Sequence, residues 1–127
     1  MIRPRLYVGE QASSKLRGLQ QRAMITPNLL CRFGFCLSLE DRNPVNVAMY
    51  ADGNAREFQM STLLGPQQEL YIALLRERLV DDGLLESADL NDYLRAHISR
   101  GVIQLANHVG RVEDLVGFVE HLKIGED

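Results

Sequence analysis

The sequence predicts a mainly α protein: a short amino-terminal strand, then a helix bundle, with a small β-hairpin near residues 45–60. Three observations carry this. Apolar residues recur at helical spacing in most of the chain, a period of two appears only at the start, and Pro and Gly fall between the periodic stretches. At 127 residues, 46% hydrophobic and 24% charged, the chain is expected to form one domain spanning 1–127 with a single core.

The strand is Ile2 to Val8, where Ile2, Leu6 and Val8 alternate with Arg3, Arg5 and Tyr7. Pro4 has no amide donor, so an edge position or interrupted pairing follows. From Gln11 to Met24, the positions Leu16, Leu19 and Ala23 space a first helix, with Ser13 or Ser14 as its cap. In "MITPNLL", Thr26 is a cap and Pro27 suits the first helical position. The second helix runs to Glu40 or Asp41, with Leu29, Leu30, Phe33 and Leu37 as its apolar stripe. Gly34 inside it costs about 1 kcal/mol in propensity, which suggests a close helix crossing.

Asn43 to Gly65 is less regular, and "VAMYADGNAREF" reads as the hairpin, turning at Asp52-Gly53. A helix from Pro66 to Leu79 is expected to bury Leu70, Ala73, Leu74 and Leu75. After "VDDGLLES", Asp89 with Asp92 opens another, whose face holds Leu90, Leu94, Ile98, Val102, Leu105 and Ala106. A last helix is expected from Val112 to Leu122, so that 66–122 forms the carboxy-terminal helices.

No apolar run approaches the roughly 18 residues of a membrane span, and the start lacks a signal-peptide layout, so a cytoplasmic protein without membrane contact is expected. The charge of −3 is divided unevenly. Residues 1–36 hold six basic side chains and one acidic, a net +5, while 37–127 hold eight basic and sixteen acidic, a net −8. Binding to a polyanion depends on such local patches.

A strand of seven residues needs a partner, and no second amino-terminal strand follows it. The simplest solution is the same strand from a second copy, covered by the two helices of each subunit. Residues 2–40 thus resemble the ribbon-helix-helix module of Arc- and MetJ-like repressors, whose ribbon enters the major groove of DNA. In such a ribbon Arg3, Arg5 and Tyr7 would face the duplex, and Thr26 to Asn28 would offer backbone amides to a phosphate.

Catalytic constellations are not evident. His97, His108 and His121 lack local ligand spacing, and His97 reads as a hydrogen-bonded core residue. Cys31 and Cys36, about 140° apart on a helix, suit neither a disulfide nor a metal knuckle and read as core residues. The acidic run Asp81, Asp82, Glu86, Asp89 and Asp92 could hold magnesium for phosphodiester cleavage, but it flanks a turn and a helix start, where carboxylates cap. No phosphate-cradling glycine motif or activated nucleophile is present. Neither catalytic residues, a metal nor another cofactor is expected.

A closer resemblance covers most of the chain. "KLRGLQQRAMITPNLLCRFGFCLSLED", "DGNAREFQMSTLLGPQQELYIALLRERL" and "YLRAHISRGVIQLANHV" are similar to the DndE family of bacterial DNA sulfur modification proteins. The resemblance implies a small helical subunit that self-associates, as a tetramer, binds duplex DNA including nicked duplex, and works with the other Dnd proteins. Those partners replace a non-bridging phosphate oxygen of DNA with sulfur. Family DNA contacts are basic surface residues, and Lys15, Arg17, Arg22 and Arg32 fit that role here. The alternative is an assembly adaptor that joins the Dnd proteins without touching DNA.

Overall fold

A computed structural model describes residues 2–108. The order is β1 (Arg5–Val8), α1 (Glu10–Ala23), α2 (Pro27–Glu40), a 3-10 turn (Val47–Tyr50), β2 (Arg56–Gln59), α3 (Met60–Leu64), a second 3-10 turn (Gly65–Gln67), α4 (Gln68–Asp81) and α5 (Leu90–His108). The protein is mainly helical, with one short two-stranded sheet, as the periodicities predict. The helix expected over 112–122 lies outside the described residues.

Helices α2 and α5 form the centre, and the reason is two glycines. A Cβ added to Gly34 would lie 2.7 Å from the backbone nitrogen of Val102, and one added to Gly101 would collide with the Gly34 carbonyl. The backbones therefore touch, as the glycine within α2 suggested. Around this crossing Leu30, Phe35, Leu94, Ile98, Val102 and Leu105 are buried, each large side chain contributing about 1.5–3 kcal/mol through burial. Phe35 meets Tyr71 and His97 edge-on, at centroid distances of 5.8 and 6.3 Å.

The expected stripes need correction at their edges. Leu29 is 39% exposed and Leu70 54% exposed, Ala73 is exposed, and Phe33, Leu37 and Leu74 are only partly buried. Helix α2 touches α1, α3 and α5, so its buried surface is wide and centres on Leu30, Cys31, Gly34, Phe35 and Ser38. Helix α4 is turned to bury Leu75, Arg78 and Leu79. The α5 face is as expected, with Ala106 partly buried.

The strand does not await a second copy, which corrects the expected ribbon. β1 pairs antiparallel with β2 of the same chain, in the register Arg5–Gln59, Leu6–Phe58, Tyr7–Glu57 and Val8–Arg56. The Met60 amide, donating to the Pro4 carbonyl at 2.8 Å, extends this ladder. Its other edge is occupied too. The Asn91 side chain accepts from the Arg3 amide at 2.9 Å and donates to the Arg5 carbonyl at 3.5 Å, standing in for a neighbouring strand.

The hairpin at Asp52-Gly53 is a second correction. Residues 47–50 form a single 3-10 turn, opened by the Asn46 side chain accepting from the Ala48 amide at 3.1 Å. Asp52 serves instead as a cap for α1: its carboxylate accepts from the Gln11 amide at 3.0 Å and its carbonyl from the Glu10 amide at 3.2 Å. A carboxylate at a helix amino terminus satisfies orphan amides and complements the dipole. Neither Ser13 nor Ser14 caps; α1 begins earlier, after Gly9, and Ser13 is buried within it.

Candidate nucleic-acid interface

Arginine sorts this molecule into two populations. The first faces inward and binds carbonyl oxygens. Arg78 donates to the Leu39, Asp41 and Asn43 carbonyls at 2.9, 2.7 and 3.0 Å, and pairs with Asp82 at 3.0 Å. Arg100 donates to the Ser38 carbonyl at 2.9 Å, the Ser38 hydroxyl at 2.9 Å and the Asn43 carbonyl at 2.6 Å. Both guanidinium groups thus close the carboxy-terminal end of α2, where unpaired carbonyls concentrate negative potential.

Arg32 belongs to the same population. Its guanidinium donates to the Leu63 carbonyl at 2.7 Å and the Thr62 carbonyl at 3.0 Å, at the end of α3. It was expected on the DNA-contacting surface; here it is a partly buried internal brace. Arg95 does the same for the loop that caps α1, donating to the Tyr50 carbonyl and the Asn54 side chain, each at 3.0 Å, and to the Gly53 carbonyl. Arg78, Arg95 and Arg100 were not singled out in the sequence. Arg78 falls three residues after Leu75 and beside Leu79, on the buried side of α4, which was the available signal; for Arg100, flanked by Ser99 and Gly101, the pattern gave none.

The second population faces outward. Arg17 and Arg22 on α1 are exposed and Lys15 is partly so. Thr26 is exposed and Asn28 half-buried at the start of α2, where the Thr26 hydroxyl makes no capping bond. No Asp or Glu lies between Gln11 and Leu39, so this surface carries positive charge with no acid of its own. Arg3 and Arg5 are exposed but paired: Arg3 with Asp89 at 3.2 Å and Asp92 at 3.9 Å, Arg5 with Glu57 at 2.9 Å. They remain on the surface with much of their charge offset.

The acidic run is largely absorbed by these contacts. Asp89 accepts from the Asp92 amide at 3.1 Å at the start of α5, and its carboxyl is held below the usual range, first by the Arg3 side chain and then by that amide. Asp82 is bonded to Arg78, and Asp81 and Glu86 are exposed. Among the described residues no three His, Cys, Asp or Glu side chains gather closely enough to hold a metal. None of the helices there is long and apolar enough to cross a membrane.

The polar chain Arg100–Ser38–His97 could suggest an activated hydroxyl. The Ser38 hydroxyl lies 2.9 Å from His97 Nδ1, yet both residues are fully buried between α2 and α5, where no substrate reaches. Burial, with Arg100 and Arg78 nearby, pushes the His97 pKa down to about 4, so the ring is neutral at pH 7. Cys31 is buried as well, and burial pushes its thiol up to about 12, far from a reactive thiolate.

Fold and surface together define a small helical protein with a basic face that holds no acid from Gln11 to Leu39, and with Arg32, Arg78, Arg95 and Arg100 turned inward as braces. The chain belongs to the DndE family: the profile described as "DNA sulphur modification protein DndE" matches residues 5–111. Among solved structures it is similar to DndE from Escherichia coli B7A, described as involved in DNA phosphorothioation modification. That match has 22% identity and a TM-score of 0.67, covering 83% of this chain and 99% of the other. A DndE G21/24K mutant, described as involved in DNA phosphorothioation, matches with 20% identity, a TM-score of 0.66 and coverage of 83% and 99%. No curated protein matches the chain.

Proposed function

We propose that this protein is a non-catalytic, self-associating accessory subunit of the DNA phosphorothioate modification machinery that binds duplex DNA, nicked duplex included, through its basic amino-terminal face. The observation that carries the reading is the division of the cations. Four arginines are committed to internal carbonyls, while Lys15, Arg17 and Arg22 lie outward on α1 with no acidic residue between Gln11 and Leu39.

The contact surface is α1 with the start of α2, supplemented by Arg3 and Arg5 when their carboxylate partners yield to phosphate. The Thr26 and Asn28 amides, Pro27 having none, add hydrogen-bond donors for phosphate at the positive end of α2. Arg32 has no direct part in it. Such a surface reads backbone charge rather than base sequence, because it offers no groove-filling element.

Fluorescence anisotropy of labelled intact and nicked duplexes across a salt series, with solution mass from light scattering on the same sample, tests the reading. An oligomer is expected whose affinity falls about a hundredfold between 50 and 200 mM salt, as four phosphate contacts require. Affinity absent at low salt, or unchanged when Lys15, Arg17 and Arg22 all become Ala, would reject DNA contact at this face. The assembly adaptor would then stand in its place.

A further inference from the structure

The two edges of the β1–β2 sheet are treated differently. Asn91 covers the β1 edge, as described above. On β2, the register and the Met60-to-Pro4 bond turn Phe58 inward to β1, so the backbone N–H groups of Glu57 and Gln59 and the Glu57 carbonyl point away from it. These have no backbone partner among the described residues. An open groove of about 310 Å³ runs along this edge, walled by Pro27 and Asn28 of α2, by Thr62, and by Arg56 to Gln59.

The groove is short of negative charge. Arg56 lies 5.3 Å over the Phe58 ring with no carboxylate in salt-bridge distance among the described residues. The amino-terminal end of α2, lacking a side-chain cap, adds positive potential on the same wall. Glu57, the one acid there, is paired with Arg5. We propose that this edge is a docking site for an extended acidic segment of a partner protein, which adds a third strand beside β2 and places a carboxylate against Arg56.

Backbone geometry selects a peptide over DNA. The outward Glu57 carbonyl needs a donor, which the N–H groups of an added strand supply and a phosphate chain lacks. A second copy of this chain is disfavoured, because antiparallel pairing of two β2 edges would bring two positive α2 ends and two Arg56 side chains towards one another. The inference shares the amino-terminal end of α2 with the DNA reading but uses neither α1 nor its cations, so loss of DNA binding in the Lys15, Arg17 and Arg22 variant would leave it standing.

The test is an amide-shift titration of the 15N-labelled full chain with a seven-residue peptide alternating Asp or Glu with Val and Thr. A matched peptide with Lys in place of the acids is the control. Saturable shifts at Glu57, Gln59 and Asn28 are expected, with the basic peptide at least tenfold weaker. Gln59→Pro is the decisive variant: Gln59 has φ −76°, which proline adopts, and its lost N–H is the outward one. It should keep the β1 pairing and lose at least tenfold in peptide affinity. Arg56→Glu, at an independent position, should reverse the preference between the two peptides. The proposal fails if the shifts are absent, if Gln59→Pro binds as tightly as the parent, if the basic peptide competes equally, or if a duplex oligonucleotide rather than the peptide moves these signals.

Discussion

The two ends of helix α2 carry cations for opposite reasons. At the carboxy-terminal end, Arg78 and Arg100 are buried and their donors are spent on the Ser38, Leu39, Asp41 and Asn43 carbonyls. At the amino-terminal end, Arg56 lines one groove with Pro27 and Asn28, on the side where the α2 amides carry the same sign, and no carboxylate among the described residues pairs with it. Cations at a helix carboxy terminus relieve its dipole; cations at the amino terminus oppose it. The first arrangement stabilises the fold, and the second costs a little stability and makes sense as a surface awaiting an anion.

The largest effect that could break this comparison is at the buried end. Arg100→Ala removes the donor to the buried Ser38 hydroxyl, one of two donors to each of the Ser38 and Asn43 carbonyls, and the cation beside Asp41, and should cost about 3–5 kcal/mol in urea unfolding. A loss below 1 kcal/mol would mean that water replaces the guanidinium and that the end is not sealed.

Next in size is the pH dependence of the same cluster. His97 is neutral in the fold down to about pH 4, whereas the unfolded chain takes up the proton near 6.5. Between those values the unfolded state binds more protons, so stability should be full above pH 6.5 and fall by about 3 kcal/mol as pH drops towards 4. Thermal melts of the parent and His97→Gln across this window should show the parent's slope flattened in the variant. Equal slopes would place the titration elsewhere.

A smaller effect sharpens the open end. Met24, between α1 and α2, is 86% exposed and sits at φ 57°, a conformation that favours Gly or Asn. Met24→Gly should therefore raise stability by about 0.5–1 kcal/mol, read from the urea midpoint. A loss of stability would show that the methionine side chain has a structural contact after all.

The smallest stability effect is expected where the binding effect is largest. Changing Lys15, Arg17 and Arg22 each to Ala should move stability by no more than about 0.5 kcal/mol per site. The same variant should flatten the salt slope of DNA binding by about one unit for each phosphate contact removed. A large unfolding penalty there would erase the distinction between the two populations of cations.

Much of this was written in local pattern. Thr26-Pro27 marks the start of α2, Asp89 marks the start of α5, and the spacing from Leu90 to Leu105 gives its buried face, because caps and periodicity act within a few residues. The amino-terminal basic face is equally local, since the acid-free run from Gln11 to Leu39 can be counted along the chain. Gly34 announced a close approach but not its partner.

What the sequence by itself determined, then, is the helical class, most helix starts and the concentration of positive charge in the first two helices. Tertiary structure decided who meets whom: Gly101 against Gly34, β2 rather than a second copy beside β1, Asp52 as a cap for α1, and the Arg32, Arg78, Arg95 and Arg100 side chains on distant carbonyls. The physical reason is range. A helix end or an exposed arginine looks the same in sequence whatever it faces, and whether its charge is spent inside the fold or left for a ligand depends on groups thirty to sixty residues away, as with Arg32 and Thr62 or Arg100 and Ser38.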